Sequence, residues 1–156
     1  MKTFTKMLAA SLALMTSLSH AAITHDKAYG DWKGACEGKD CGLIQVANDN
    51  QKNPIGRFIF RKLEREGKQN VVAFITVPLG VSLKGGLGVA VDMKELGRAA
   101  YDFCDEGGCT AIIEFDEKSL ESVRKGSKMQ VGVFILDEPQ AMEFSLKGVT
   151  EGLKNL

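Results

Sequence analysis

Ala141-Met142-Glu143-Phe144-Ser145-Leu146-Lys147 alternates apolar and polar side chains without a break. Successive side chains of an extended chain point to opposite faces, so Met142, Phe144 and Leu146 turn inward while Glu143, Ser145 and Lys147 meet water. That is the signature of a strand buried on one face, as antiparallel sheets use. Working outward, Lys128 to Leu136 reads as a second strong strand, and Thr150 to Leu156 as a last helical turn. Glu117 to Lys125 reads as one short helix. Asp116 stands at its N-cap position, Leu120 and Val123 share a face, and Gly126 follows its end.

The rest of the chain repeats the short-strand pattern. Gly30 to Cys36 and Gly42 to Ala47 flank a tight turn, and Arg57 to Arg61 sets Phe58 and Phe60 opposite its charges. Glu66-Gly67-Lys68 turns the chain into Asn70 to Val77, an almost continuous apolar run that suits a strand covered on both faces. Pro78 ends that run, because proline cannot donate to a central ladder. Val81 to Leu83 and Leu87 to Val91 follow around Gly85-Gly86, then Arg98 to Cys104 and Cys109 to Phe115 as a further hairpin. About eight to ten short strands with turn signals between them predict two packed antiparallel sheets. The fold class is therefore all-β, with one or two short helices.

Residues 1–21 decide the compartment. Lys2 and Lys6 precede an apolar run from Met7 to Leu18, and Ser19-His20-Ala21 supplies small residues before a cut. This is a secretory signal, too short to span a bilayer. Removing 21 of the 156 residues leaves 135, from Ala22 to Leu156, enough for one β-sandwich domain. That part holds 18 basic and 20 acidic residues, a net of about −2, with no concentrated basic stripe for nucleic acid. No later run is long enough for a membrane span, so the expected location is periplasmic or secreted.

Export lets the four cysteines pair. Cys36-Glu-Gly-Lys-Asp-Cys41 and Cys104-Asp-Glu-Gly-Gly-Cys109 share the C-x4-C spacing. A hairpin with a four-residue loop sets residues i and i+5 opposite each other, within reach of a disulfide. Local pairing is the expectation. Pairing across the sandwich, and redox or zinc use, are the alternatives, although those chemistries favour the shorter C-x-x-C.

Nothing else spells out a reaction. His25, the one histidine beyond the signal, lies near an N-terminus expected to be mobile, a poor place for a catalytic imidazole. Gly85-Gly86-Leu87-Gly88 opens into a strand, not a helix, and so reads as a turn without an anion site. Asp102 and Asp105 sit at a hairpin end with no assignable carboxylate partner for glycosidic chemistry. Trp32 reads as a core anchor, with a binding hot spot as the alternative. Arg57, Arg61, Lys62, Arg65 and Lys68 form the most basic segment, interleaved with Glu64 and Glu66. This reads as a solvated face, with an acidic partner as the alternative. No catalytic, cofactor-binding or metal residue is assigned, and no cofactor is expected.

Several blocks together resemble the invasion-associated locus B family. They are Gly30-Asp31-Trp32, Cys36 with Cys41, Val77-Pro78-Leu79-Gly80-Val81-Ser82-Leu83, and Gly88 to Asp92. Tyr101-Asp102-Phe103-Cys104, Gly108-Cys109-Thr110-Ala111 and Phe144-Ser145-Leu146-Lys147-Gly148-Val149 complete the set. The resemblance implies a small exported bacterial protein with an immunoglobulin-like antiparallel β-sandwich, its cysteines at the family's positions 36, 41, 104 and 109. It also implies a link to host-cell entry, without catalytic residues to carry over. The expected function is a non-enzymatic envelope protein that binds an unidentified protein partner. A periplasmic redox helper and a small-ligand carrier are the alternatives.

Overall fold

In a computed structural model that describes residues 23–156, two antiparallel sheets face each other across one core. The secretory signal assigned to residues 1–21 lies outside the described residues. The strands are β1 (Ala28–Tyr29), β2 (Trp32–Glu37), β3 (Asp40–Asn48), β4 (Pro54–Arg65), β5 (Lys68–Val77), β6 (Leu87–Val91) and β7 (Lys94–Ala99). They continue as β8 (Phe103–Asp105), β9 (Gly108–Phe115), β10 (Lys128–Ile135) and β11 (Glu138–Ser145), with helices α1 (Glu117–Lys125) and α2 (Val149–Asn155). The larger sheet runs β1-β2-β3-β4-β5-β9-β8, and the smaller one β11-β10-β6-β7. The chain changes sheet after β5, after β7 and through α1, and the result is an all-β sandwich with two short helices.

Alternation fixes which side chains meet in the middle. Phe58 and Phe60 from β4, Ala73, Ile75 and Val77 from β5, and Met142 and Phe144 from β11 are buried. Trp32 is fully buried and packs its ring 5.9 Å from Phe58 and 5.3 Å from Phe60, centroid to centroid. Phe58 reaches Phe144 of the opposite sheet at 5.5 Å. The space between the sheets is thus filled by side chains. The helices close one end of the sandwich, with Leu120, Val123, Val149 and Leu153 buried. Asp116 caps α1 by accepting the Ser119 N–H at 2.8 Å. Gly126 follows α1 for a packing reason: a Cβ there would lie 2.3 Å from a Val91 methyl.

Four local expectations are corrected. The C-x4-C hairpins turn over two residues, because Glu37 pairs Asp40 and Asp105 pairs Gly108. The cysteines remain opposed, one step further from each tip, and Cys36–Cys41 and Cys104–Cys109 are bonded, each with Cα atoms 4.0 Å apart. Val81 to Leu83 is not a strand; Val81 makes one isolated bridge to Ile135. Arg98 to Cys104 divides between β7 and β8, which belong to different sheets. His25 is anchored, because its Nδ1 accepts the Cys36 N–H at 3.1 Å. The apolar run of β5 is buried on both sides, at Ala73, Ile75 and Val77 toward the second sheet and at Val72 and Thr76 on the outer face.

Candidate functional site

That outward face is the least expected surface of the molecule. With Phe58 and Phe60 inward, β4 turns Arg57, Ile59, Arg61, Leu63 and Arg65 away from the core. Register then places Ile44 of β3, Ile59 of β4, Phe74 of β5 and Ile112 of β9 side by side. All four are half-buried, forming an apolar row across the middle of the larger sheet. Such rows are ordinarily polar where one face of an antiparallel sheet meets water.

Two rows, each holding an arginine of β4, border it. On one side Val46, Arg57, Thr76, Thr110 and Phe103 are in register, with Val46 42% and Phe103 47% exposed. The hydroxyls of Thr76 and Thr110, both buried, lie 3.0 Å apart, and an Arg57 Nη donates to Thr76 Oγ1 at 3.4 Å. On the other side the Arg61 guanidinium lies 5.6 Å from the centroid of the Phe74 ring. Its Nε is buried and makes no hydrogen bond among the described residues. Beyond it, Arg65 reaches Glu114 at 3.8 Å.

The face opens at one end into a groove of about 500 Å³, lined by Val46, Ile55, Arg57, Thr76, Leu79 and Glu106 among others. Leu79 is 56% exposed. The chemistry available is apolar contact bracketed by planar guanidinium donors, which suits carboxylates set around an apolar strip.

The residues singled out by sequence scatter. Arg57, Arg61 and Arg65 share this face, but Lys62 turns the other way and donates to the Leu156 carbonyl at 2.6 Å. Asp102 Oδ2 accepts the Ile112 N–H at 2.7 Å, and Asp105 Oδ1 accepts the Gly107 N–H at 2.8 Å, so both carboxylates serve local structure. Gly86 approaches the Ala99 carbonyl so closely that a Cβ would lie 2.3 Å from it, which accounts for a glycine there. Among the described residues no three His, Cys, Asp or Glu side chains gather as a metal set. No helix among them is long and apolar enough to cross a membrane. Sequence reading missed the apolar row. Its trace was Ile59 lying between two arginines, and the unbroken apolar run of β5.

The polar contacts between the sheets also bear on kinship. Gly30-Asp31-Trp32 meets Ser145 to Gly148: Ser145 Oγ donates to Asp31 Oδ2 at 2.7 Å, and the Asp31 N–H donates to the Lys147 carbonyl at 3.1 Å. Residues 32–156 match the family model described as Invasion associated locus B (IalB) protein. The chain belongs to this family. Two Invasion protein B homologs of Brucella abortus, from strain 2308 and from biovar 1 strain 9-941, are each 26% identical over 158 residues. Each match covers 99% of this chain and 91% of the relative. The crystal structure of invasion associated protein B from Bartonella henselae superimposes with a TM-score of 0.73 at 22% identity. That match covers 82% of this chain and 92% of the other, and it establishes the shared fold. In this IalB-family chain the first and last sequence blocks form one physical joint between the sheets.

Proposed function

We propose that this protein is an exported, non-enzymatic binding module of the bacterial envelope, cleaved after Ala21, whose outer face on the larger sheet docks another protein. The observation that carries the reading is the Ile44–Ile59–Phe74–Ile112 row, an apolar strip left facing outward between arginines. Contiguous apolar surface rimmed by polar groups is characteristic of interaction sites. Two bonded cysteine pairs support maturation in an oxidising compartment. The relatives are named as invasion proteins, which supports a role in contact over one in turnover.

The test is photocross-linking in intact cells. A photoreactive residue replacing Ile59 should yield protein adducts, while one replacing Ala90, on the smaller sheet, should yield few. If both positions give the same sparse labelling, the reading is wrong. Cell fractionation tests export: full-length protein retained in the cytosol with four reactive thiols would refute it.

A further inference from the structure

We infer that the occupant of the outer face is an acidic amphipathic helix of a partner protein, lying along β4. The inference rests on the protein-binding reading above and adds the chemistry and shape of what binds. Arg57, Arg61 and Arg65 are spaced four residues apart on one strand, about 13 Å at the rise of a β-strand. Ile59 and Leu63 fill the gaps between them. Two turns of an α-helix advance about 11 Å, and the flexible arginine side chains span the difference. Carboxylates two turns apart therefore meet successive arginines, while apolar residues one turn between them settle on Ile59 and Leu63. Arginine forms paired hydrogen bonds with carboxylates, and Arg57 and Arg61 have no acidic partner among the described residues.

The distribution of acids favours a narrow protein segment over a lipid surface. Lys33 and Lys68 extend the positive face, but Glu114 lies on β9 and Glu37 and Asp40 stand at the β2–β3 tip. An anionic bilayer would press against all of them at once. A helix about 10 Å wide, seated on β4, bypasses the corners. Layering supplies the remaining argument, since a sheet with an apolar face is stably covered by a helix or another sheet.

The experiment is a titration of the isotopically labelled, oxidised protein, followed by amide chemical shifts. Three probes are used: a helical peptide with glutamates two turns apart and leucines between them, its twin with lysines for glutamates, and phosphatidylglycerol vesicles. The acidic peptide should perturb amides of β3, β4 and β5, and raising salt from about 50 mM to about 500 mM should weaken it several-fold. R57E combined with R61E should weaken it about tenfold or more, whereas K94E, on the other sheet, should leave it unchanged. Folded dispersion in the spectra of both variants guards against loss of structure. Equal binding of the lysine twin overturns the inference, as does binding of vesicles in place of the acidic peptide, or of no probe. If protein adducts still form at Ile59 in cells, such a failure removes the acidic helix and leaves the binding module standing.

Discussion

The indole Nε1 of Trp32 donates to the carbonyl oxygen of Ser145 at 2.8 Å, so the fully buried anchor of one sheet is hydrogen-bonded to an edge strand of the other. Gln45 completes the joint. Its amide nitrogen donates to Ser145 O at 3.1 Å and its amide oxygen accepts the Ser145 N–H at 2.7 Å. One residue of β11 is thus held by two residues of the opposite sheet. This joint is where the inter-sheet geometry is set.

Trp32→Phe keeps an aromatic ring in the cluster but removes the donor. Ser145 O retains Gln45 as a partner, so the cost should be modest, about 1–2 kcal/mol. Trp32→Ala removes the ring as well and should cost about 3–5 kcal/mol. Urea unfolding of the two variants checks the ratio. Equal losses would show that the hydrogen bond, not the packing, dominates.

Within the same joint, backbone meets backbone at Gly148. Gly148 has φ +87°, and a Cβ there would lie 2.0 Å from the Tyr29 carbonyl oxygen. Gly67, in the β4–β5 turn, has φ +72° with no atom within 4 Å of its would-be Cβ. Gly67→Ala therefore meets backbone strain only, roughly 1–2 kcal/mol. Gly148→Ala meets strain and a clash with main chain, and should lose roughly 3 kcal/mol or more. Thermal unfolding of the pair separates conformational freedom from close approach.

How much of this was legible follows the range of each interaction. Alternation is local, so the inward set Met142, Phe144 and Leu146 and the Asp116 cap could be read directly from sequence. The cysteine pairs were legible because their members stand five positions apart, which a hairpin of either turn length can oppose. The division of residues 98–104 between two sheets was not, because β7 is paired by β6 and β8 by β9, partners that sequence alone does not assign. The outer face was misread for a more useful reason. Arg57 and Arg61 read as a solvated face because Glu64 and Glu66 interleave with the basic segment, and sequence alone does not set Ile44, Phe74 and Ile112 beside Ile59. On the outer face of β5, Val72 and Thr76 are buried, as its apolar run implied, while Phe74 between them is half-buried.

Acid should weaken the fold through carboxylates at the surface. Hydrogen bonds from Ser119, with Lys118 nearby, hold the Asp116 carboxyl below its ordinary 3.8. A hydrogen bond from Lys128 holds Glu143 below its ordinary 4.5. Both folded values are depressed, so their stabilisation is complete above the unfolded values and is lost as pH falls through the folded ones. The urea midpoint should therefore drop below about pH 4.5. Asp116→Asn, which keeps a capping oxygen that does not titrate, combined with Glu143→Gln, should flatten that drop. An unchanged slope in the double variant would place the acid sensitivity elsewhere.

Leu136 and Asp137 form the β10–β11 turn with φ +50° and +66°, and Leu136 is 84% exposed. Two-residue hairpins of this handedness favour Asn-Gly, because left-handed backbone strains a branched or bulky residue while asparagine and glycine accept it. Leucine here pays twice, in backbone strain and in an apolar side chain left in water. Leu136→Asn with Asp137→Gly should accordingly stabilise the protein, by about 1 kcal/mol. Photocross-linking at Ile59 then reads function in the stabilised variant. Undiminished adducts would confine the binding surface to the larger sheet. A loss of adducts despite the higher urea midpoint would extend it across the pole, to the leucine that the turn holds out at a cost.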